Sequence, residues 1–112
     1  ALECANMLHL KHNPTLKDIQ EYVRQLEMER GFDKTSSNVQ IALLLGEEIG
    51  ELYTALRKAE KMRVDEHSTF TSIEEELADI LIYICAIANR YGIDLEKAFR
   101  DKEEINKRRR WK

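Results

Sequence analysis

Ile41-Ala-Leu-Leu-Leu-Gly-Glu-Glu-Ile-Gly-Glu-Leu-Tyr-Thr-Ala55 is the stretch that decides the fold. Its apolar residues Ile41, Leu44, Leu45, Leu52 and Ala55 recur at helical spacing, with none of the alternation of a half-buried strand. Just ahead of it, Ser37 and Gln40 match a capping box, which predicts a helix start at Ser37. At ~100° per residue, Glu48 falls in the middle of the apolar arc. Glu51 lies at its edge, one turn along, while Glu47 points well outside. A carboxylate on an apolar face is unusual, because leaving it ionised in a core without partners costs several kcal/mol or more.

Working outward, three more helices are predicted. The first follows Asn13-Pro14, with Thr15 as N-cap and Leu16, Ile19, Val23 and Leu26 at helical spacing, and ends near Gly31. The helix from Ser37 runs into the charged stretch Arg57 to Arg63, then a polar loop through Asp65, His67 and Ser68. Thr71 or Ser72, each with a Glu three residues on, starts the third. From Ile80 to Asn89 that helix has no formal charge and is apolar nearly all round, so it is buried centrally or between subunits. It stops at Tyr91-Gly92. Asp94 then caps a fourth helix carrying Leu95, Phe99 and Ile105. The expected fold is all-α, a four-helix bundle with antiparallel neighbours.

Composition agrees. The 112 residues allow a single domain, 1–112, with residues 1–13 an N-terminal extension and the core at about 14–111. Charged residues make up 35%, with one Pro and four Gly, which favours long helices. A net charge of −3 gives no electrostatic reason to expect nucleic-acid binding. No apolar run approaches the ~18 residues that span a membrane. The opening Ala1 to Asn6 lacks Met and also lacks the basic start and apolar stretch of a secretory signal. Cys4 and Cys85 share no metal-type spacing; Cys85 reads as a buried small hydrophobe, and a cytoplasmic location is expected. Charge is unevenly spread. Between Glu47 and Asp79 there are ten acids against four bases, whereas the last thirteen residues carry seven Lys/Arg against three acids. An acidic middle and a basic tail could together hold a cation and its anionic ligand.

On the third helix Glu76 and Asp79 are three apart, in line with Tyr83 and Ala86. The plain reading of these acids is solvated helix ends or caps, and Glu74 and Glu75 stay there as first-turn acids that favour the helix dipole. For Glu48, Glu51 and Asp79 that reading lacks basic partners one turn away: Glu48 has Leu44 and Leu52 there, and Asp79 has Glu75 and Tyr83. Two acidic pairs on facing helices make a hard, all-oxygen site suited to Mg²⁺, or Mn²⁺, rather than Zn²⁺. A di-iron bundle would want Glu-x-x-His pairs, which are absent from the sequence. His9, His12 and His67 read as solvated.

Leu45-Gly-Glu-Glu-Ile-Gly-Glu-Leu52, followed by Glu75-Glu-Leu-Ala-Asp-Ile-Leu81, resembles the E-x-x-E…E-x-x-D signature of MazG-like all-α nucleotide pyrophosphohydrolases. Pro14-Thr-Leu-Lys-Asp-Ile19 and Glu29-Arg-Gly-Phe32 look like the entry of the short, dCTP-pyrophosphatase-like subgroup, and Lys102…Asn106…Arg109 is similar to its K-x-x-x-N-x-x-R tail. The likeness covers roughly residues 14 to 111. It implies Mg²⁺-dependent hydrolysis of a nucleoside triphosphate between its α and β phosphates, in the service of clearing unwanted nucleotides. It implies Glu48, Glu51, Glu76 and Asp79 as metal ligands. Glu47, or Glu48 itself, would act on the attacking water. Tyr83 reads either as a phosphate contact or as a core tyrosine. Lys102, Asn106 and Arg109 read either as donors to phosphate and sugar or as a solvated tail. Phe32 replaces a Trp common in close relatives, so stacking on a base and core packing both stand, and base preference stays open. The resemblance also implies a homodimer or a dimer-of-dimers tetramer. The alternatives are a helical interaction module without catalysis and a divalent-metal binding protein.

Overall fold

The computed structural model describes residues 8–63 and 72–109. They form α1 (Leu16–Arg30), α2 (Phe32–Thr35), α3 (Asn38–Ala59), α4 (Ile73–Arg90) and α5 (Leu95–Lys107), and no strand. Local sequence sets the starts. Thr15 Oγ1 accepts from the Asp18 amide at 3.1 Å while Asp18 Oδ2 accepts from the Thr15 amide at 2.8 Å, and Ser37 and Gln40 close the same reciprocal box. Ser72 and Asp94 accept from the amides of Glu75 and Lys97. Each cap satisfies a donor the helix leaves open, worth about 1 kcal/mol. Thr71, His67 and Cys4 lie outside the described residues.

One short helix, α2, was not expected. Gly31 ends α1 in the left-handed conformation, φ 78°, which favours glycine. The chain then makes a single further turn rather than a loop. None of its residues is buried, so burial does not hold it in place.

The core is small and lies where α1 and α3 meet the C-terminal half of α4. Val23, Leu26, Ile41, Cys85 and Ala86 form it, with Ile19, Tyr22, Ile82 and Ile87 packed around them. Cys85 is fully buried, and desolvation pushes its thiol above the ordinary value. Leu26→Ala would cost about 2–5 kcal/mol here. α4 is the central element: α3 packs on it most extensively, α1 next, and α5 rests on α1.

A second buried layer is polar. Gln20, on the same face of α1 as Val23, donates through Nε2 to the carbonyl of Ile93 at 2.9 Å and to Asn89 Oδ1 at 3.2 Å. Its Oε1 accepts from the Leu95 amide at 2.9 Å, and Asn89 Nδ2 donates to the Gln20 carbonyl at 2.8 Å. Such a network ties the α4–α5 turn to α1.

Burial is lighter than the periodicity predicts. Leu44, expected on the inner stripe of α3, is exposed, as are Leu81 and Ile84 on the apolar run of α4. Phe99, on the apolar face of α5, is 70% exposed. The radius of gyration is 16.8 Å, where a compact chain of this length gives about 13 Å. Among the described residues, no helix is long and apolar enough to cross a membrane.

Candidate metal and nucleotide site

The acids pointed inward by periodicity meet between α3 and α4. Glu48, Glu76 and Asp79 each bring a carboxylate oxygen within 4.8 Å of the others. The antiparallel packing of α3 on α4 and the three-residue step on α4 place them there. Glu76 is 1% exposed, among the most buried large side chains described, and Glu48 is half-buried. Glu48 Oε2 is a buried atom that accepts no hydrogen bond.

Desolvation dominates the electrostatics. It pushes the Glu48 carboxyl up to about 8, reinforced by a hydrogen bond with Glu76 and by the charges of Glu51 and Asp79. Glu51 also hydrogen-bonds with Glu48, so it borders the cluster, although its side chain is exposed and it stands outside the tight trio. Tyr83 lies one turn beyond Asp79, partly buried. Desolvation raises its hydroxyl pKa first, then the charges of Glu48, Asp79, Glu47 and Glu51, so it faces the acids as a neutral donor. Glu47 is exposed, as its direction on the helix predicts, and Glu74 and Glu75 are exposed acids of the first turn of α4.

The remaining residues singled out by sequence sit elsewhere. Phe32 opens α2 and is 43% exposed. Lys102, Asn106 and Arg109 follow one another on and just beyond α5, which rests on α1. His9 and His12 are exposed.

Chemically, three converging carboxylates make a strong acceptor for a hard divalent cation. The fit is good. The oxygens are close enough to share one ion, and a cation would offset both the desolvation of Glu48 and the repulsion from its acidic neighbours.

The profile of the MazG nucleotide pyrophosphohydrolase domain matches residues 36–111. The chain belongs to that family. This MazG domain is 32% identical over 104 residues to dCTP pyrophosphatase 1 of Bos taurus, covering 86% of this chain and 59% of that protein. It is 31% identical over 100 residues to dCTP pyrophosphatase 1 of Homo sapiens, with the same coverage. It thus spans about three fifths of the length of these curated relatives. Among solved structures, iMazG from Vibrio DAT 722 superposes with a TM-score of 0.58 at 31% identity, over 83% of this chain and 98% of that one.

Sequence reasoning passed over one set of residues in this MazG domain. Gln20, Glu27, Asn89 and Arg90 form buried or half-buried polar contacts between α1 and the C-terminal end of α4. Their signal was present: Gln20, Val23 and Glu27 follow one another at three and four residues, the same spacing that exposed Glu48.

Proposed function

We propose that this MazG domain hydrolyses a nucleoside or deoxynucleoside triphosphate between its α and β phosphates, releasing monophosphate and pyrophosphate in a Mg²⁺-dependent reaction. The observation that carries the reading is the convergence of Glu48, Glu76 and Asp79 within 4.8 Å in a half-buried cleft where desolvation keeps Glu48 protonated to about pH 8. A core gains nothing from such a cluster, since buried like charges are costly. With Glu51 alongside, these residues would hold Mg²⁺, with Mn²⁺ as a substitute. When bound, the ion supplies charge neutralisation at the phosphates and a water of lowered pKa.

The other roles belong to the protein. Glu47 and Glu48 are the candidates to take the water's proton. Glu47 is exposed and free to turn toward a bound substrate, whereas Glu48 is committed to the cluster. Tyr83, neutral beside the acids, would donate to a phosphate oxygen. Phe32 offers a face for a base, and the relatives named dCTP pyrophosphatase make dCTP the first nucleotide to test. Lys102, Asn106 and Arg109 would supply donors to phosphate or sugar.

A homodimer, or a dimer of dimers, is the expected working form. The exposed apolar residues of α3, α4 and α5, among them Leu43, Leu77, Leu81 and Phe99, support it. So does the expanded radius of gyration. The cellular role inferred is removal of surplus or noncanonical nucleotides in the cytoplasm.

A panel of dNTPs and NTPs with Mg²⁺, followed for pyrophosphate and for orthophosphate, tests the proposal. Pyrophosphate release that stops with EDTA is expected. Orthophosphate release would indicate a different phosphohydrolase. Neither product would favour a helical interaction module or a metal-binding protein without turnover.

A further inference from the structure

Arg90 ties the segment that carries Phe32 to α4. α2 is four residues long and buries none of them. A helix that short does not stand by propensity. It enters through left-handed Gly31 and leaves through extended Ser36, φ −107° and ψ 125°. From the C-terminal end of α4, Arg90 reaches across both ends of this turn. Its Nη2 donates to the Phe32 carbonyl at 3.1 Å, and its Nη1 to the Ser36 carbonyl at 2.7 Å. Nη1 also approaches Asn38 Oδ1 at 3.4 Å, at the start of α3.

Arg90 is itself fixed. Nη2 pairs with Glu27 Oε2 of α1 at 2.7 Å, with the two side chains only 13% and 8% exposed. Its Nε is buried without an acceptor, so the guanidinium is aimed at the carbonyls at the expense of its own fifth donor. A cavity of about 170 Å³, lined by Arg24, Glu27, Met28, Asp33, Asn89 and Arg90, lies beside the clamp, so close packing does not replace it. The guanidinium divides these acceptors between two nitrogens set apart in one plane, a geometry that the single nitrogen of an ammonium does not reproduce.

Position along the helices gives the clamp a functional sense. Arg90 lies eleven residues beyond Asp79 on α4, and Asn38 ten residues before Glu48 on α3. At 1.5 Å per residue, the clamp stands about 15 Å from the carboxylates, the scale of an extended nucleoside triphosphate. We propose that Arg90, locked by Glu27, is a positioning residue that sets the place of Phe32 at the nucleoside end of the site. This inference rests on the functional reading above.

The test is a double-mutant cycle in pyrophosphate-release kinetics, on the nucleotide that wild type hydrolyses best. Arg90→Lys keeps the charge and loses the fork. It should raise KM about 10-fold, the size of one or two lost positioning hydrogen bonds, with kcat within about twofold. Phe32→Ala should raise KM by a similar factor, and Arg90→Lys should add nothing in the Phe32→Ala background. Glu27→Gln, isosteric, should move KM the same way by less, and serves if Arg90→Lys melts below the assay temperature. Effects of Arg90→Lys and Phe32→Ala that multiply would overturn the inference, as would an unchanged KM in Phe32→Ala or a fall in kcat alone. If no nucleotide yields pyrophosphate, the functional reading falls and takes this inference with it; activity with multiplying effects sinks this inference alone.

Discussion

At the C-terminal end of α4, Asn89 and Arg90 meet Gln20 and Glu27 of α1; about three to four turns earlier, Glu76 and Asp79 meet Glu48 of α3. Both ends bury polar side chains against a neighbouring helix. At the first, Gln20 has both amide groups engaged and Glu27 faces a guanidinium at 2.7 Å. At the second, acid faces acid, and the mismatch is absorbed by protonating Glu48. Polar groups that hold a fold together come with complementary partners. Groups of one sign gathered against a desolvation penalty await a ligand of the other sign.

The two ends are expected to respond oppositely to mutation. The largest effect is expected at the acidic end. Asp79→Asn, Glu51→Gln or Glu76→Gln should each cut pyrophosphate release by more than about 100-fold, beyond what lost outer-shell partners of a metal cost. Circular dichroism should keep its helical signal. Full activity after both the Glu51 and Asp79 changes would remove these residues from the site.

Gln20→Ala is the counterpart at the paired end. It strips partners from the Leu95 amide, the Ile93 carbonyl and Asn89, which should cost about 1–3 kcal/mol. Urea melts should show that loss while kcat of the folded enzyme stays near wild type. A Gln20→Ala variant as stable as wild type would mean the network is dispensable.

Acidity separates the ends more gently. Glu48 holds its proton to about pH 8, where its ordinary value is 4.5. Between those values the folded chain binds more protons than the unfolded one. The Glu48 contribution to stability without metal is therefore fully present below about pH 4.5 and is lost as pH rises through about 8. Thermal melts in EDTA should show Tm falling across that window, and Glu48→Gln should flatten the fall. Adding Mg²⁺ should raise Tm, more at pH 8 than at pH 6, because the cation binds the ionised form. A wild-type Tm in EDTA that is flat across the window, or no Mg²⁺ shift at pH 8, would contradict the reading of the cluster.

The smallest effect belongs to neither end. Arg100→Ala breaks an exposed i,i+4 pair with Glu96 on α5, and should change stability by ~0.5 kcal/mol or less in the same urea melts.

Much of this was legible in residue order. Thr15, Ser37, Ser72 and Asp94 announced four helix starts through local side chain to backbone bonds, which need no tertiary context. The helical period also turned Glu48 and Glu76 inward before any partner was known. The period could not say how deep. Leu44 and Glu48 share one arc, yet Leu44 is exposed and Glu48 half-buried, because depth depends on where α4 lies across α3. Helix α2 was invisible for a similar reason: its turn is stabilised by Arg90, 58 positions from Phe32.

By itself, then, the sequence determined the all-helical class, the four long helices and the set of carboxylates on the wrong face, since each follows from contacts within about one turn. Only the tertiary structure decided that Glu48, Glu76 and Asp79 converge while Glu51 stays at the margin, that Gln20 and Glu27 are buried with partners, and that Phe32 rides on a segment clamped from α4. Those outcomes depend on the register and crossing of helices far apart in the chain. That register is chosen by the packing of Val23, Ile41 and Cys85 in the core, and no local spacing encodes it.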